Sequence, residues 1–322
     1  MKLTFINVGY GECILAECSL PDQKSFVMLI DGGSAEAEEY ADRSGGRIPL
    51  TEYLLKNGPD HIDLLVSTHT HEDHICAALQ AARLYPPGQL WQSLTPEFFR
   101  RTAPLDVTLS PNPSRRKFLS ALNDYGSLCR LVTDGGGEIC QVKAGEHYEP
   151  CPGLRIAVLA PSALDEAELE RKLDELYAEQ DAETVLEKLT VLDGQMNNYS
   201  LMLRLDWQGT RILLPGDTNR DGYAAVDWQA LPAHIFKVGH HGQQDGASPE
   251  LLEAIRPEAV VCCASSDRRY NSAEPGLLNM IREHGAALYF SDCPPVPGMT
   301  VPTHHALTFQ IGEKGTFTAS YL

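Results

Sequence analysis

The sequence predicts an α/β fold whose functional residues lie along the ends of its strands. Short apolar runs stop repeatedly at polar residues: Phe26–Ile30 stops at Asp31, and residues 62–66 stop at a segment rich in histidine. Helix-like segments separate many of these runs, which is typical of a sheet covered by helices. Because the ends of neighbouring strands share one edge of a sheet, we expect these polar residues to converge.

The chain is predicted to begin as an antiparallel meander joined by glycine turns. Its three strand-like runs are residues 2–8, 13–16 and 26–30. Residues 35–47 are polar and rich in glycine and alanine, so we expect a mobile loop there. Residues 48–56 are helix-like and stop at Asn57-Gly58-Pro59. The strand before the histidine-rich segment then follows.

The middle of the chain shows weaker patterns. Prolines between residues 85 and 113 predict short strands and loops, and Ser114–Asp124 is helix-like from a serine cap. Gly135-Gly136-Gly137 is interpreted as a hairpin turn between the strand-like runs 128–133 and 138–142. Residues 162–192 form the most helical stretch, which is open to interpretation as a lid, an oligomer contact or an inserted helical pair.

Later strand-like runs again stop at polar residues. These runs, with the residues that follow them, are 211–214 before Asp217, 235–238 before His240-His241, 260–263 before Asp267, and 288–290 before Asp292. No repeat, low-complexity tract or interdomain linker is visible in the sequence. We therefore predict one domain over residues 1–322, with a helical insertion around residues 162–192.

The composition excludes several classes of function. The formal net charge of −18 repels nucleic-acid backbones and anionic membranes, and the basic clusters are short, namely Arg100-Arg101, Arg115–Lys117 and Arg268-Arg269. Dedicated binding of duplex DNA is therefore not expected. The nine cysteines are scattered, without a metal-binding or disulfide pattern. Since no signal-peptide region or membrane span is recognisable, we predict a reduced, cytoplasmic protein without a membrane partner.

Residues 68–74 carry the densest group of metal-ligand side chains. Three histidines and two carboxylates lie within the six positions from His69 to His74. Side chains two apart on extended backbone point the same way, so His69 and His71 can share one metal ion. Asp73 and His74 fall at the turn into a helix and can face a second ion. Imidazole and carboxylate ligands suit zinc, and also iron or manganese.

Four separated segments together resemble the metallo-β-lactamase superfamily, and more closely its ComEC-type hydrolases. The segments are Asp31, the HxHxDH motif at 69–74, Gly216-Asp217, and Gly239-His240-His241-Gly242. The stretches Phe5–Ile14 and Asn197–Leu201 support the closer resemblance. The matching segments run from residue 3 to about residue 270, whereas residues 85–192 match only loosely.

The resemblance implies an αββα sandwich, with two mixed sheets and a dinuclear metal site on their shared edge. It implies two divalent ions, preferably zinc, with manganese or iron as alternatives. The implied ligands are His69 and His71 for one ion, Asp73, His74 and His241 for the other, and Asp217 as the bridge. Asp31 would orient the motif loop, while His240 is favoured as a donor to a substrate oxyanion, with the reverse assignment of the histidine pair left open.

The sequence departs from the family pattern at two places. Between residues 75 and 216 the only histidine is His147, so the ion at His69 and His71 is left with three protein ligands. The segment 197–200, including Asn198, takes the place of the missing histidine. The stretch 268–272 also lacks a histidine found in relatives, which leaves Tyr270 or Arg269 as the substrate contact there. Asn198 and Lys237 are predicted either to contact the substrate or to support the metal ligands. We therefore predict an asymmetric metal pair, with the weaker ion at His69/His71.

Three functions are compatible with these residues. The leading hypothesis is a dinuclear hydrolase that uses a metal-bound hydroxide, specifically a phosphodiesterase acting on a small or single-stranded phosphodiester. The alternative is a carbonyl hydrolase, such as a lactonase or thioesterase, on the same metal centre. The third is a non-catalytic scaffold in which the helices around residues 163–192 bind a partner and the metal site is vestigial.

Overall fold

The structure is a computed structural model that describes residues 1–21, 23–100 and 102–322. Arg101, named above in a basic cluster, therefore lies outside the described residues. The strands, in chain order, are β1 (Lys2–Ile6), β2 (Ile14–Ser19), β3 (Ser25–Ile30), β4 (Leu64–Val66), β5 (Gln89–Gln92), β6 (Glu138–Gln141), β7 (His147–Cys151), β8 (Leu154–Ala160), β9 (Met202–Trp207), β10 (Thr210–Leu214), β11 (Ile235–Lys237), β12 (Ala259–Cys262), β13 (Ala287–Phe290), β14 (Ala306–Ile311) and β15 (Phe317–Tyr321). The α-helices are α1 (Leu50–Asn57), α2 (Glu72–Leu84), α3 (Pro113–Asp134), α4 (Ala163–Ala178), α5 (Ala182–Asp193), α6 (Pro249–Ile255) and α7 (Pro275–His284).

The strands form two mixed sheets. The first has the order β15-β14-β1-β2-β3-β4-β5-β6, and the second has the order β13-β12-β11-β10-β9-β8-β7. In the first sheet, β1 to β3 pair antiparallel as the predicted meander, while β3 to β6 pair parallel. In the second sheet, β10 to β13 pair parallel.

Apolar side chains form a layer between the sheets and a layer on each outer face. On β3, Met28 and Ile30 enter the layer between the sheets, whereas Val27 and Leu29 belong to the outer core, which also contains residues of helices α1 to α5. This follows from the two-residue period of a strand, and it explains why a strand buried on both faces has a continuous apolar sequence. Helices α6 and α7 cover the second sheet. The predicted αββα sandwich is confirmed.

The prediction of a strand over residues 128–133 is wrong. Residues 113–134 form one helix, α3, which starts after the Asn112 cap with a proline at its first position. Phe118, Leu122 and Cys129 lie on its buried face, and this helical spacing continues through Val132. The three glycines therefore end the helix instead of making a hairpin, and Gly136 adopts a left-handed φ of 82°.

The predicted loop over residues 35–47 is anchored rather than mobile. It contains a short 3₁₀ helix at Ala37–Tyr40. Arg47, which is buried, pairs through Nε with Asp292 Oδ2 at 2.9 Å and through Nη1 with Glu39 Oε1 at 2.9 Å. These buried ion pairs tie the loop to the chain near the C-terminal end of the second sheet.

The predicted helical insertion consists of α4 and α5. Ser162 caps α4 in a capping box with Asp165. Both helices direct leucines into the core over the first sheet, namely Leu169, Leu173, Leu176, Leu189 and Leu192. Its role in oligomerisation stays a prediction, as does the assignment of the chain to one domain. Within the described ranges, no helix has the length and apolar character needed to cross a membrane.

Candidate metal centre

The segments singled out in the sequence meet at one edge of the sandwich. Strand β3 ends at Asp31, β4 leads into the histidine loop, β10 leads into Gly216-Asp217, and β11 leads into the two histidines. The turn after β11 requires Gly239, because a Cβ there would lie 2.0 Å from the backbone oxygen of Thr218. Close backbone approach therefore brings ligand-bearing loops of the second sheet against each other.

Four side chains form a compact cluster of possible metal ligands. One ligand atom from each of Asp73, His74, Asp217 and His241 lies within 4.8 Å of the others. His241 Nε2 is 3.0 Å from Asp73 Oδ2 and 2.8 Å from Asp217 Oδ2. His74 Nε2 is 3.3 Å from the same Asp217 oxygen. The structure thus brings together the residues predicted for the second ion and the predicted bridge.

The predicted ligands of the first ion lie beside this cluster. His69 Nε2 and His71 Nδ1 face each other at 3.0 Å, a separation compatible with two ligands that bind one ion at ~2.0–2.1 Å. The rings of His69 and His74 have centroids 4.1 Å apart. Two groups of ligands, one with two histidines and one with four side chains, therefore adjoin each other.

Protein contacts orient the histidines through the ring nitrogen that faces away from the cluster. His74 Nδ1 lies 2.7 Å from Asp31 Oδ2, and His241 Nδ1 lies 2.8 Å from the Cys263 carbonyl oxygen. His69 Nδ1 lies 3.1 Å from Thr68 Oγ1 and 3.2 Å from Ser200 Oγ. In these three histidines the contacts leave Nε2 as the nitrogen that faces the site. Asp31 also accepts from the Thr68 amide at 2.9 Å, so it fixes both the loop and a ligand.

The buried amine of Lys237 holds the other oxygen of Asp217. Lys237 Nζ lies 3.0 Å from Asp217 Oδ1, donates to the Gly216 carbonyl oxygen at 2.6 Å, and pairs with Glu12. Both Lys237 and Glu12 are 0% exposed. Of the two roles predicted for Lys237, contact with a phosphoryl substrate is not supported, since this amine is buried and does not line the pocket. Its place supports the alternative role, which is to orient the bridging aspartate.

The charges of the cluster perturb its protonation. Burial would raise the pKa of Asp73, but the His74 and His241 imidazoles outweigh it and hold that pKa well below its usual range. Burial alone would lower the pKa of His241, but the neighbouring carboxylates of Asp217 and Asp73 outweigh burial and raise that pKa to about 9. Burial lowers the pKa of His69 well below its usual value. His69 thus keeps a free lone pair, whereas a cation entering the four-residue cluster would displace protons.

An open pocket of about 390 Å³ lies over these ligands. It is lined by Tyr10, Glu39, His71, Glu72, Asp73, Ser114, Lys117, Phe118, Asp193, Gly194, Asn197, Asp217, His240, Gln243, Arg269 and Tyr270. Aromatic rings form part of its wall: the Tyr10 ring lies 4.4 Å from His241 and 5.1 Å from Tyr270, centroid to centroid. The pocket therefore joins the metal ligands to a surface that can bind an organic group.

The structure sorts the remaining predicted site residues into two groups. His240 and Tyr270 line the pocket, as expected for substrate contacts, and His240 Nδ1 lies 2.9 Å from Asp245 Oδ1. Asn198 does not line it. Its Oδ1 accepts from the Asn219 amide at 3.2 Å, which braces the loop after Asp217. A substrate role for Asn198 is therefore not supported, and its neighbour Asn197 faces the pocket instead.

Several residues that bear on the site were not singled out from the sequence. Glu12 pairs with Lys237, and Ser200 lies behind His69. Lys117 and Phe118 of α3 line the pocket, as does Asp193 at the end of α5. Only Glu12 and Ser200 carried a signal, since both lie in stretches that supported the resemblance. The others come from residues 85–193, where the sequence pattern is weak.

Comparison with known proteins agrees with this geometry. The sequence profile described as the metallo-beta-lactamase superfamily matches residues 8–266. The chain belongs to this superfamily. Its likeness to ComEC-type proteins is confirmed by ComE operon protein 3 of Bacillus subtilis (strain 168), which is 23% identical over 299 residues, and by Competence protein ComA of Neisseria gonorrhoeae, which is 27% identical over 99 residues.

The matches differ in how much of each protein they cover. The B. subtilis match covers 90% of this chain but 32% of the relative. The N. gonorrhoeae match covers 30% of this chain and 14% of the relative. The chain therefore spans about a third of the length of the B. subtilis relative. Among solved structures, the diiron β-hydroxylase CmlA from Streptomyces venezuelae is 12% identical with a TM-score of 0.49, covering 99% of this chain and 54% of that one. The metallo-beta-lactamase fold protein YhfI from Bacillus subtilis is 8% identical with a TM-score of 0.47, and the match covers 91% of this chain and 97% of YhfI.

Proposed function

We propose that this chain is a dinuclear metal-dependent hydrolase that cleaves a small or single-stranded phosphodiester. The observation that carries the proposal is the pair of adjoining ligand groups beneath one pocket. His69 and His71 form one group, and the cluster around Asp217 forms the other. Membership of the metallo-beta-lactamase superfamily supports hydrolysis as the reaction class, while the phosphodiester is the finer part of the proposal.

The side chains fit divalent ions. The Nε2 atoms of His74 and His241 are buried and have no hydrogen-bond partner among the described residues, although carboxylate oxygens lie nearby. Such nitrogens are costly to bury unless something binds them. When bound, two divalent ions would supply a water nucleophile at neutral pH and neutralise charge on the substrate oxygen. Imidazole and carboxylate ligands suit zinc, with manganese or iron as alternatives.

The pocket supports a phosphorylated substrate of limited size. Lys117 lines it and can meet phosphate oxygens, and His240 lies beside the cluster as a further donor. A volume of about 390 Å³ holds one small organic group near the ligands. The net charge of −18 disfavours binding of a long nucleic acid, whose backbone would extend beyond the pocket over the acidic surface. We therefore propose a small molecule or a short strand as the substrate.

Two observations favour a carbonyl ester or thioester as the second candidate. The guanidinium of Arg269 already pairs with Glu39 and with Asp267 Oδ2, the latter at 3.1 Å, so it is not free to bind a phosphate. Phe118, Tyr10 and Tyr270 meanwhile supply an aromatic wall that suits an acyl group. The ligand set serves both substrates equally well, so only turnover separates them.

The test compares the two substrate classes on one metal-loaded protein. The purified chain would be loaded with Zn²⁺ or Mn²⁺ and assayed with bis(p-nitrophenyl) phosphate and with a p-nitrophenyl acyl ester. The proposal expects phosphodiester turnover that falls by more than about 100-fold in Asp217→Ala, a larger loss than removal of an outer residue causes. Circular dichroism would establish that the variant is folded.

A matched surface variant controls for activity lost during preparation of a variant. Glu187 is exposed on α5 and lies away from the pocket, so Glu187→Gln should keep full activity after the same purification. Ester turnover without phosphodiester turnover would replace the leading proposal by the carbonyl hydrolase. Failure to bind any metal would refute both proposals, and phosphodiester turnover that is unchanged in Asp217→Ala would refute the leading one.

A further inference from the structure

The ring of His71 is oriented differently from the other predicted histidine ligands. It turns Nδ1 toward His69 Nε2, at 3.0 Å, so its Nε2 points away from that shared position. This Nε2 is buried and makes no hydrogen bond among the described residues. The carboxylate oxygen Asp193 Oδ1 lies 3.2 Å from it.

We propose that Asp193 is a positioning residue for the metal centre, which accepts a hydrogen bond from Nε2–H of His71 and so presents Nδ1 to the ion. Neutral imidazole carries one proton, and a carboxylate at Nε2 keeps that proton there. Nδ1 is then left with its lone pair free for a metal. A carboxylate on the outer nitrogen of a ligating histidine also raises its basicity. The inference rests on the proposed dinuclear centre.

The same arrangement recurs on the neighbouring ligand, with the nitrogens exchanged. His74 binds the Asp31 carboxylate through Nδ1 and turns Nε2 to the cluster. Asp31 is completely buried, whereas the side chain of Asp193 is 33% exposed. Asp193 can therefore turn to align with His71, since solvent borders it on one side.

The end of α5 is held against the metal loop, which gives Asp193 a defined place. Leu192 and Met196, on either side of Asp193, are each 1% exposed. Thr70 Oγ1, in the loop between the two histidines, lies 3.3 Å from Met196 Sδ. The His71 ring also packs against Phe118 of α3, with centroids 5.5 Å apart. The ring is thus confined between α3 and the end of α5.

This placement gives the helical insertion a function. The helix pair α4–α5 places the Asp193 carboxylate beside the His69/His71 group. This is the group with fewer ligands, because it lacks the third histidine found in relatives. The proposed function requires the metal ligands, but it does not require that the insertion take part in the site. The ion at His69/His71 should therefore depend on α5, whereas the ion in the four-residue cluster should not.

The experiment measures the two ions separately in the full-length chain. Metal-free protein would be titrated with Cd²⁺, with ¹¹³Cd NMR to resolve the two ions and equilibrium dialysis to measure their affinities. Asp193→Ala should weaken one ion about 10–100-fold, as loss of an outer hydrogen bond does, and leave the other within about twofold. Asp193→Asn should fall between, because its amide oxygen still accepts from His71. Glu187→Gln, which removes the same charge from the exposed face of α5, should change neither ion.

A spectroscopic measurement identifies the histidine concerned. Long-range ¹H–¹⁵N spectra of the loaded protein should show His71 protonated at Nε2, and Asp193→Ala should broaden or shift that resonance alone. Equal weakening of both ions, no weakening of either, or a chain that never binds an ion at His69/His71 would each overturn the inference. If two ions bind as described but nothing is hydrolysed, the proposed function fails while the role of Asp193 stands.

Discussion

Replacing Lys237 by methionine should both destabilise the protein and weaken its metal centre. The amine is completely buried and is shared by Glu12, the Gly216 carbonyl oxygen and Asp217 Oδ1. Burial lowers the pKa of Lys237, but the two carboxylates outweigh burial and raise it above its usual value. Lys237 is therefore charged across the accessible pH range, and methionine removes the cation that compensates two buried acids.

The expected magnitude follows from the geometry. At 3.0 Å from Asp217 Oδ1 and an effective dielectric constant of ~20, the attraction is about 5–6 kcal/mol. The cost of removing both charges from water offsets part of it, and breaking one side of a buried pair typically costs about 3–5 kcal/mol. We expect Lys237→Met to lose about that much free energy of unfolding. Metal affinity should also fall about 10–100-fold, because Asp217 loses its orientation.

Urea unfolding followed by tryptophan fluorescence measures the first effect, and equilibrium dialysis measures the second. Glu12→Gln/Lys237→Met should recover at least about 1 kcal/mol, since a neutral residue 12 no longer needs a cation. Lys56→Met, at an exposed lysine paired with Glu52, should change stability by less than about 1 kcal/mol. A Lys237→Met protein as stable as the unmodified chain, or a double variant less stable than the single one, would refute the reasoning.

Three further predictions concern stability and metal loss. Burial raises the pKa of Glu166 from 4.5 to about 7. Between these two pH values the folded state binds more protons than the unfolded state, so the free energy of unfolding falls as the pH rises. In urea unfolding, Glu166→Gln should therefore gain up to about 3 kcal/mol at pH 8 but little at pH 4. Gly32→Ala would place a Cβ 2.2 Å from the Ala78 backbone nitrogen and should cost about 1–3 kcal/mol or more, whereas Gly194→Ala, whose Cβ has its nearest contact at 3.6 Å, should cost little. Stepwise dialysis against a chelator should remove the His69/His71 ion first, leaving a one-metal form detectable by elemental analysis, and simultaneous loss of both ions would contradict the asymmetric pair.

The metal ligands could be predicted because their signal is local. The two-residue spacing of His69 and His71 on extended backbone brings their nitrogens together, as the distance of 3.0 Å shows. Asp217 and His241 each follow a short apolar strand, and strands of one sheet end at one edge. The superfamily pattern then assigned these separated segments to one centre before any distance was known.

Helix α3 shows where local signals misled. The run 128–133 contains apolar and β-branched residues that suit a strand, and three glycines follow it. The spacing of Phe118, Leu122 and Cys129 continues through Val132, however, and packing of this face against the core decided the helix. Propensity over six residues is weak beside the burial of a continuous stripe along 22 residues.

The role of Lys237 depended on contacts between distant parts of the chain. Strand alternation places Lys237 on the same side of β11 as Ile235, which packs between the sheets, while Phe236 faces outward. Alternation can therefore say that the amine points inward. The pairing of this amine with Glu12, in the loop between β1 and β2, depends on how the two sheets stack.

The strand ends and the types of the candidate ligands were thus present in the amino-acid pattern. The partners that hold those ligands were not: Asp193 meets His71 across α5, and Ser200 meets His69 after a helical insertion. Spacing along a strand or helix repeats every few residues and is legible in the sequence. Contacts between residues more than a hundred positions apart follow from packing of the whole core, and they decide which nitrogen of each histidine is free to bind a metal.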